Sequence, residues 1–441
     1  MEFGSNEARR QLDGMDKKLL DDCFLSDRPR LRHAEALAIL RDRVRPVVGV
    51  ERVRLADALN RILADPAVAA QDVPAHTNAA VDGYSFAAAD YRGDVGATLA
   101  LGGRAAAGHP LRGAPPPGTA VRIFTGAVMP DGHDTVAMQE DAHARLEDGR
   151  AVVSIPSGLK PKANVRKAGE DVEAGETVLG AGSVLRPQDL AALAALGRAE
   201  VACYTRLKVA ILASGDEIVR PGAALPPGQV YDANTPMLAG LIAAAGAGVV
   251  DLGVLPDDAE IVRRRLAETA AAYDVIITSG GASRGEEDHL ATALAALGKR
   301  HLWQLAIKPG RPMSFGQIGD AIVVGLPGNP VAVFVCFLLY VWPLLRRLGG
   351  APWPEPRRFS LPAHFAFPNR KLGRREFWRG TLVPAPQGGW AVVKFPRDGS
   401  GLISGLRVAD GLIEIPEDVP EVKWGDPIAF MPFSEFGIAS R

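Results

Sequence analysis

Four short polar segments in the middle of the chain each follow an apolar run that predicts a β-strand. They are residues 214–217, 256–258, 279–288 and 326–330. In an open α/β sheet, ligands bind beyond the carboxyl ends of the strands, where such segments meet. Any one of them alone is ordinary turn chemistry, and Asp257 by itself is best explained as a helix N-cap. Four on one sheet edge, with Ser214 and Glu217 in the first, indicate a binding site.

The third segment has the composition of a phosphate cradle. Gly280 and Gly281 expose backbone N–H groups, and Ser283 adds a hydroxyl donor near a helix start. Its acidic residues would repel a bare phosphate. A magnesium ion between a carboxylate and the phosphate is therefore expected, because magnesium prefers oxygen ligands. For Glu286 and Glu287, a solvated helix start is the simpler explanation.

Residues 281–285, GASRG, also match the G-x-S-x-G nucleophile elbow of serine hydrolases, which makes Ser283 a nucleophile in a remote alternative. The predicted strand ends at Ser279, several residues too early, and the chain has no HGGG-type oxyanion loop. The phosphate interpretation is therefore preferred. The sequence also has no GxGxxG, Walker A or HExxH pattern, so dinucleotide, P-loop and zincin chemistry lack support.

Two cations lie in residues 308–312, KPGRP. Lys308 supplies a point charge and Arg311 a bidentate fork, and both suit an anion, although a surface hairpin explains this segment equally well. In the fourth segment Asn329 can cap the next helix, whose first position suits Pro330. That helix N-terminus would face the same sheet edge and favour an anion there.

The elements that must position these residues alternate regularly between 206 and 348. Apolar strands are predicted at 207–213, 249–255, 274–279 and 321–326, and helices at 235–245, 257–273, up to 297, and from 331. This alternation predicts a parallel sheet covered on both faces. Residues 28–64 are predicted to be helical, 70–160 to form short strands, 187–196 a helix, and 356–441 a small β-barrel or sandwich. Ser400 and Ser404 are predicted to be solvent-facing turn residues.

Length and composition bound the class of protein. The 441 residues predict about three domains, and the net charge of -1 argues against bulk binding to nucleic acid or to an anionic membrane. The longest apolar stretch, 331–345, is shorter than the roughly 20 residues of a membrane span and contains Pro343, so a buried helix is expected. Three widely spaced cysteines and the absence of a secretory signal predict a cytoplasmic protein. Residues 1–27 are predicted to be a tag or a disordered N-terminus.

Together with 78–84, 124–126, 165–171 and 231–234, these segments resemble molybdopterin molybdenumtransferase, the MoeA family, which includes the gephyrin E domain. The motifs occur in the family's order from about residue 28 to the C-terminus. The resemblance implies a multidomain α/β plus β fold. Its expected parts are an elongated α+β domain (28–47 and 160–205), an inserted β-rich domain (48–159), a three-layer α/β/α domain with a mostly parallel sheet (206–348) and a C-terminal β-barrel (349–441).

The resemblance also implies a reaction in which molybdate enters adenylylated molybdopterin and AMP is released with the help of Mg²⁺. The residues carried over as catalytic are Asp82, Thr125, Glu217, Asp257 and Asp288. Those carried over for substrate binding are Arg166, Asp171, Ser214, Gly280, Gly281, Ser283, Lys308, Arg311, Pro327 and Pro330. Asp288 and Glu217 are the expected magnesium ligands.

Family members are homodimers, so Asp82 and Asp288 are expected to face each other across a subunit interface. Two alternatives stay open within this resemblance. One is a molybdopterin adenylyltransferase-like enzyme, whose fold resembles residues 206–348, and the other is a gephyrin-like scaffold. The expected partners are a second copy of the chain, the pterin substrate and other enzymes of the cofactor pathway, with no nucleic acid and no membrane.

Overall fold

The computed structural model describes Phe24 and residues 30–280 and 289–439. At its centre lies a six-stranded sheet. Its strands in spatial order are Gly248–Leu255, Lys208–Ser214, Val275–Ser279, Ala321–Leu326, Pro312–Ile318 and Lys299–Gln304. The first three pairings are parallel and the last two antiparallel. The predicted mostly parallel sheet is present, and an antiparallel pair of strands, which was not among the predicted strands, extends it at one side.

Helices cover both faces of the central sheet. They are Asn234–Ala244, Ala259–Ala272, His289–Leu297 and the segment from Pro330 to Leu348. Alternate strand residues point to opposite faces. Val209 and Ile211 join the cluster that contains the Pro330–Leu348 segment, and Leu212 packs with the helix of Leu266. The result is a three-layer α/β/α arrangement.

The segment Pro330–Leu348 is long and apolar enough to cross a membrane by length and composition, yet 89% of its apolar window is buried inside the protein. It supplies the centre of the largest core cluster, as predicted for a buried helix. A wide, π-helical turn at Phe337–Val341 precedes Pro343. Such a turn absorbs the missing N–H and the ring clash that a proline brings into a helix.

The prediction of helices throughout 28–64 was wrong after the first one. His33–Arg43 is helical, but Val50–Arg54 is a strand that pairs antiparallel with Glu200–Tyr204. Val53 packs in the same small core as Leu193, so burial against a distant strand outweighs local propensity here. The helix Pro187–Ala195 closes this region, one residue shorter than predicted.

A second six-stranded sheet lies in the N-terminal half. In spatial order its strands are Thr135–Met138, Gly83–Phe86, Thr119–Ile123, Ala97–Ala105, Arg150–Ile155 and His143–Glu147. Short paired strands connect the surrounding loops. They are Ala67–Val68 with Thr177–Leu179, Asn78–Ala79 with Val165–Arg166, and Ile218–Val219 with Val230–Tyr231.

The C-terminal sheet is joined to the central domain through the KPGRP segment. Its strands in order are Ile307–Lys308, Arg375–Pro384, Gly411–Ile415, Pro427–Pro432 and Phe359–Pro362, with Trp390–Lys394 also on the second. The short helix Ile403–Val408 follows the glycine-rich loop. Lys308 pairs in register with Glu376, so the predicted anion turn forms the edge of this sheet.

Candidate active site

Asp82 and Thr125 meet where two paired strands begin and end. Asp82 precedes the strand Gly83–Phe86, and Gly83 pairs with Ile123, two residues before Thr125. The Asp82 Oδ1 atom accepts hydrogen bonds from the Thr125 N–H at 2.8 Å and from its Oγ1 at 2.7 Å. These bonds, the backbone bond first, lower the pKa of the Asp82 carboxyl and keep it ionised.

The backbone beside this pair is tightly confined. A Cβ atom on Gly83 would lie 1.8 Å from the carbonyl oxygen of Ala137 on the neighbouring strand. Glycine is therefore required for the strand to approach closely enough to carry Asp82 to Thr125.

Arg122, which the sequence analysis did not single out, contacts the residues next to Asp82 and Thr125. Its guanidinium lies 4.7 Å from the ring centroid of Phe124 and 4.9 Å from that of Tyr84. It also donates to the Gly83 carbonyl at 3.2 Å. Arg122 therefore touches both chain segments that carry Asp82 and Thr125. Phe124, two residues after Arg122, is visible in the sequence. The contact with Tyr84 can be predicted only when the pairing of the two strands is known.

Arg166 and Asp171 lie in the connecting segment, on the outside of the same region. Arg166 pairs with Asn78, on the strand that leads towards Asp82. The backbone N–H of Asp171 donates to the Val73 carbonyl at 3.1 Å. Both side chains are exposed, and they line neither of the two cavities described next.

A cavity of about 500 Å³ opens between the strand ends of the central sheet and the C-terminal sheet. The predicted residues Gly280, Lys308, Arg311 and Pro327 line one side of it. The opposite side consists of residues that the sequence analysis did not assign to the site, namely Trp378, Arg379, Lys394, Phe395, Asp398 and Ser400. Ser400 is a half-buried turn residue, whereas Ser404 is exposed but lies in the helix Ile403–Val408, so the expectation of a turn is wrong for Ser404. Cations therefore reach this cavity from both sheets.

Lys308 sits among carboxylates at the edge of this cavity. Its Nζ atom lies 4.0 Å from Oε2 of Glu376 and 3.9 Å from Oδ2 of Asp398. The Glu376 carboxylate is buried and accepts hydrogen bonds from Trp378 Nε1 at 2.9 Å and Arg374 Nε at 3.0 Å. These bonds fix Glu376 behind the ammonium group of Lys308.

Gly310 shapes the turn that presents Lys308 and Arg311. Its φ of +97° is in the region that favours glycine, and an added Cβ would lie 2.2 Å from the buried Cys336 Sγ.

The substitution Gly310→Ala should destabilise the protein by about 2–4 kcal/mol, because a left-handed backbone and an overpacked contact add up. Gly328→Ala is the matched control, since an added Cβ there meets nothing within 4 Å and the φ is not positive. Urea denaturation followed by tryptophan fluorescence measures both variants. Equal midpoints for the two would contradict this account of the turn.

A second cavity of about 520 Å³ adjoins the first and shares Gly280, Gly328 and Asn329 with it. Predicted residues Ser214, Glu217, Gly280 and Pro330 line it. Asn234, part of the 231–234 motif, donates from Nδ2 to Ser279 Oγ at 2.7 Å and to the Gly328 carbonyl at 2.8 Å. This amide ties together two of the polar segments predicted to meet at the sheet edge.

Two predicted helix caps are corrected by the structure. Asp258, and not Asp257, caps the helix Ala259–Ala272, with Oδ1 accepting from Glu260 N and Ile261 N. The neighbouring Asp257 is exposed, and its Oδ1 atom lies 3.6 Å from His289 Nε2. At the start of the Pro330 helix, Asn329 occupies the N-cap position, but its side chain makes no capping bond within the described chain. It lines both cavities instead.

Three predicted site residues, Gly281, Ser283 and Asp288, lie outside the described residues. Their assignments therefore stay predictions, and so does the magnesium site of Asp288 with Glu217. Across residues 30–280 and 289–439, no three His, Cys, Asp or Glu side chains converge as a metal-binding group.

Within one chain, the predicted residues thus form separate groups. Asp82 and Thr125 bond to each other at the N-terminal sheet and line neither cavity. The cationic cavity and its neighbour lie at the carboxyl ends of the central strands. This arrangement defines a multidomain α/β protein with a cavity at the strand ends of its central sheet, lined by cationic side chains and covered by a second sheet.

Comparisons with known proteins agree with this class. Family models match residues 31–197 (MoeA N-terminal region, domains I and II), 210–347 (probable molybdopterin binding domain) and 361–433 (MoeA C-terminal region, domain IV). The chain is 39% identical to a molybdopterin molybdenumtransferase of Haemophilus influenzae over 386 residues, which cover 87% of this chain and 94% of the relative. It is 34% identical to molybdopterin molybdenumtransferase 2 of Mycobacterium tuberculosis, over 89% of this chain and 96% of that protein.

A solved structure is also similar. The molybdopterin biosynthesis MoeA protein of Pyrococcus horikoshii matches with a TM-score of 0.77 and 29% identity, covering 91% of this chain and all of that one (100%). The chain belongs to the MoeA family, and its function lies in molybdenum cofactor biosynthesis.

Proposed function

We propose that this chain is a molybdopterin molybdenumtransferase that inserts molybdate into adenylylated molybdopterin and releases AMP. The observation that carries the proposal is the cavity beside Lys308, where cationic side chains converge from two sheets. Molybdate is a dianion, and lysine and arginine side chains are the groups that bind such an oxyanion. The named relatives support the choice of substrate.

The two adjoining cavities suit the two substrates. The cationic cavity takes molybdate between the KPGRP turn, with Lys308 and Arg311, and the side chains of Arg379 and Lys394. The neighbouring cavity, lined by Ser214, Glu217 and Pro330, takes the organic substrate and its phosphates. Because they share Gly280 and Asn329, the dithiolate and the oxyanion can approach each other without leaving the protein.

The carboxylates at the strand ends are suitable ligands for the magnesium ion of this proposal. Magnesium uses one or two carboxylates together with substrate phosphates, so it needs no preformed cluster of protein ligands. Glu217 offers an exposed carboxylate at the strand end, folded back against Gly215. Asp288, at the end of the glycine-rich segment 279–288, is the second ligand proposed from the resemblance. When bound, magnesium supplies neutralisation of charge on the pyrophosphate.

The proposal extends to domains, assembly and location. The sequence analysis begins the inserted domain at residue 48. We propose instead that this domain begins after Ala69, and the packing of Val53 and Ala69 in one core with Leu193 supports this. We propose that the C-terminal sheet closes into a barrel, and a bridge between Ala363 and Val392, which links its outer strands, supports this. The enzyme is proposed to be cytoplasmic, to act on no nucleic acid or membrane, and to meet other enzymes of the pathway.

A homodimer explains why Asp82 lines neither cavity of its own chain. We expect the Asp82 region of one subunit to face the strand ends of the other. Mixing inactive Asp82→Ala and Asp288→Ala proteins under conditions of subunit exchange should restore activity. In a heterodimer one shared site carries both defects and the other carries none. The heterodimer should therefore have about half of the activity of the unaltered dimer. If exchange is verified and no activity appears, the cross-subunit arrangement is wrong.

The alternatives make different predictions for one experiment. Purified protein is incubated with adenylylated molybdopterin and molybdate, with magnesium or with a chelator, and AMP is measured. The proposed transferase releases AMP only with magnesium. A scaffold releases none under any condition. An adenylyltransferase-like enzyme is recognised in a parallel incubation with ATP and unadenylylated molybdopterin, in which it forms adenylylated pterin. The family match over 31–197 and 361–433 favours the transferase, because an adenylyltransferase resembling 206–348 alone would not need these regions.

A further inference from the structure

The cationic cavity already contains a carboxylate. Asp398 forms an ion pair with Lys394, and its other oxygen lies 3.9 Å from Lys308 Nζ. All three side chains line the cavity. We infer that Asp398 is a resident counter-ion, which occupies the place of the oxyanion and must be displaced when the oxyanion binds. This inference rests on one part of the proposed function, the assignment of this cavity as the oxyanion site, and not on the transfer reaction itself.

Lys394 needs such a counter-ion. Its side chain is only 8% exposed, and its ammonium lies 5.1 Å from the ring centroid of Phe367 and 5.4 Å from that of Trp378. Its Nζ also donates to the Phe395 carbonyl at 3.2 Å. Aromatic faces and one carbonyl do not replace a full negative charge, and a buried ion without its partner is costly. An oxyanion that takes over from Asp398 satisfies the same requirement.

The loop that carries Asp398 is anchored on both sides. Arg379 donates to the Arg397 carbonyl at 2.6 Å and to the Leu402 carbonyl at 3.0 Å. The N–H of Val331, at the start of the buried helix, donates to the Ser400 carbonyl at 2.9 Å. The backbone is thus held while the Asp398 side chain is 42% exposed. Displacement therefore needs only a rotation of this side chain towards solvent.

A displaced counter-ion leaves a specific thermodynamic signature. The apparent association constant of any anion is its intrinsic association constant multiplied by the fraction of molecules in which the carboxylate has moved away. This factor is the same whatever the charge of the anion. A carboxylate that stays in place and merely repels the ligand acts differently. Its repulsion energy is proportional to the charge of the ligand. A dianion and a monoanion of similar shape separate the two cases.

The test is direct titration of the full chain at fixed ionic strength and pH 7.5 with molybdate and with perrhenate, tetrahedral oxyanions of charge −2 and −1. We expect Asp398→Asn to bind both about tenfold more tightly than the unaltered protein, with the same factor for each. Asp398→Ser, which also removes the charge, should show the same gain. Glu421→Gln removes one negative charge from an exposed pair with Lys423 and should change both affinities less than twofold.

Two results would overturn the inference. One is an Asp398→Asn affinity for molybdate that is equal to or weaker than that of the unaltered protein. The other is a gain for molybdate that is about the square of the gain for perrhenate, which means repulsion without displacement. The titration uses no pterin and no turnover. If the predicted gains appear but no AMP is released from adenylylated molybdopterin, the proposed function fails and this inference stands.

Discussion

Replacing Asp82 by asparagine should reduce molybdenum insertion by about a hundredfold or more, the scale of losing one preorganised electrostatic contact. The substitution keeps the shape of the side chain and an oxygen that can accept from Thr125. It removes only the negative charge. The hydrogen bonds from Thr125 stabilise this charge and thereby lower the pKa of Asp82. The loss should therefore appear in turnover and not in folding.

The measurement is AMP release at saturating substrates, with thermal unfolding recorded on the same samples. Asp131→Asn is a suitable control, because Asp131 is an exposed carboxylate in a loop of the same region. Thr125→Val removes the hydroxyl donor but leaves the backbone donor, so its loss should be smaller, about tenfold. Because the pKa of Asp82 is lowered, its charge is lost only in acid, and activity near neutral pH should not titrate with this group. Asp82→Asn turnover within threefold of the unaltered enzyme would rule out the proposed role.

Replacing Lys308 by methionine should raise the molybdate concentration required for half-maximal rate by about 30-fold, roughly 2 kcal/mol, the value of a hydrogen bond to a charged group. Methionine keeps most of the apolar stem. The buried Glu376 behind Lys308 retains its bonds from Trp378 and Arg374, so folding should be largely preserved.

The defect should be one of binding. Raising molybdate should restore most of the rate, while the requirement for adenylylated molybdopterin stays unchanged. Lys423→Met serves as the control, since Lys423 pairs only with the exposed Glu421 among the described side chains. A Lys308→Met enzyme with normal molybdate dependence would show that the cationic cavity is not where molybdate binds.

The sequence predicted the central sheet well because its signals are local. Long apolar runs alternate with helical segments, and the first and fourth polar segments that follow the strands do line the cavities at the sheet edge. Ser214, Glu217 and Pro330 were predicted in this way, and Lys308 was predicted from the two cations of the KPGRP turn. The antiparallel strands Lys299–Gln304 and Pro312–Ile318 were missed. They flank the KPGRP turn and form a hairpin, which the sequence analysis considered for this segment without predicting the bounds of its strands.

The residues on the opposite side of the cationic cavity could not be predicted from their spacing in the sequence. Arg379, Lys394 and Asp398 are about 70 to 90 residues from Lys308 in the sequence and reach it only because the C-terminal sheet takes Ile307–Lys308 as an edge strand. Arg122 was missed for a similar reason, since its stacking on Tyr84 and Phe124 depends on the pairing of two strands. The helix predicted across 50–54 failed because partner strand Glu200–Tyr204 lies far along the chain.

The most direct test of the account is to follow molybdenum itself. Unaltered protein is incubated with adenylylated molybdopterin, molybdate and magnesium, the pterin is separated, and its molybdenum content and the released AMP are measured. The account predicts molybdenum in the pterin in a 1:1 ratio to AMP, with both falling together in Asp82→Asn and in Lys308→Met at low molybdate. AMP release without molybdenum in the pterin, or neither product at any molybdate concentration, would contradict it.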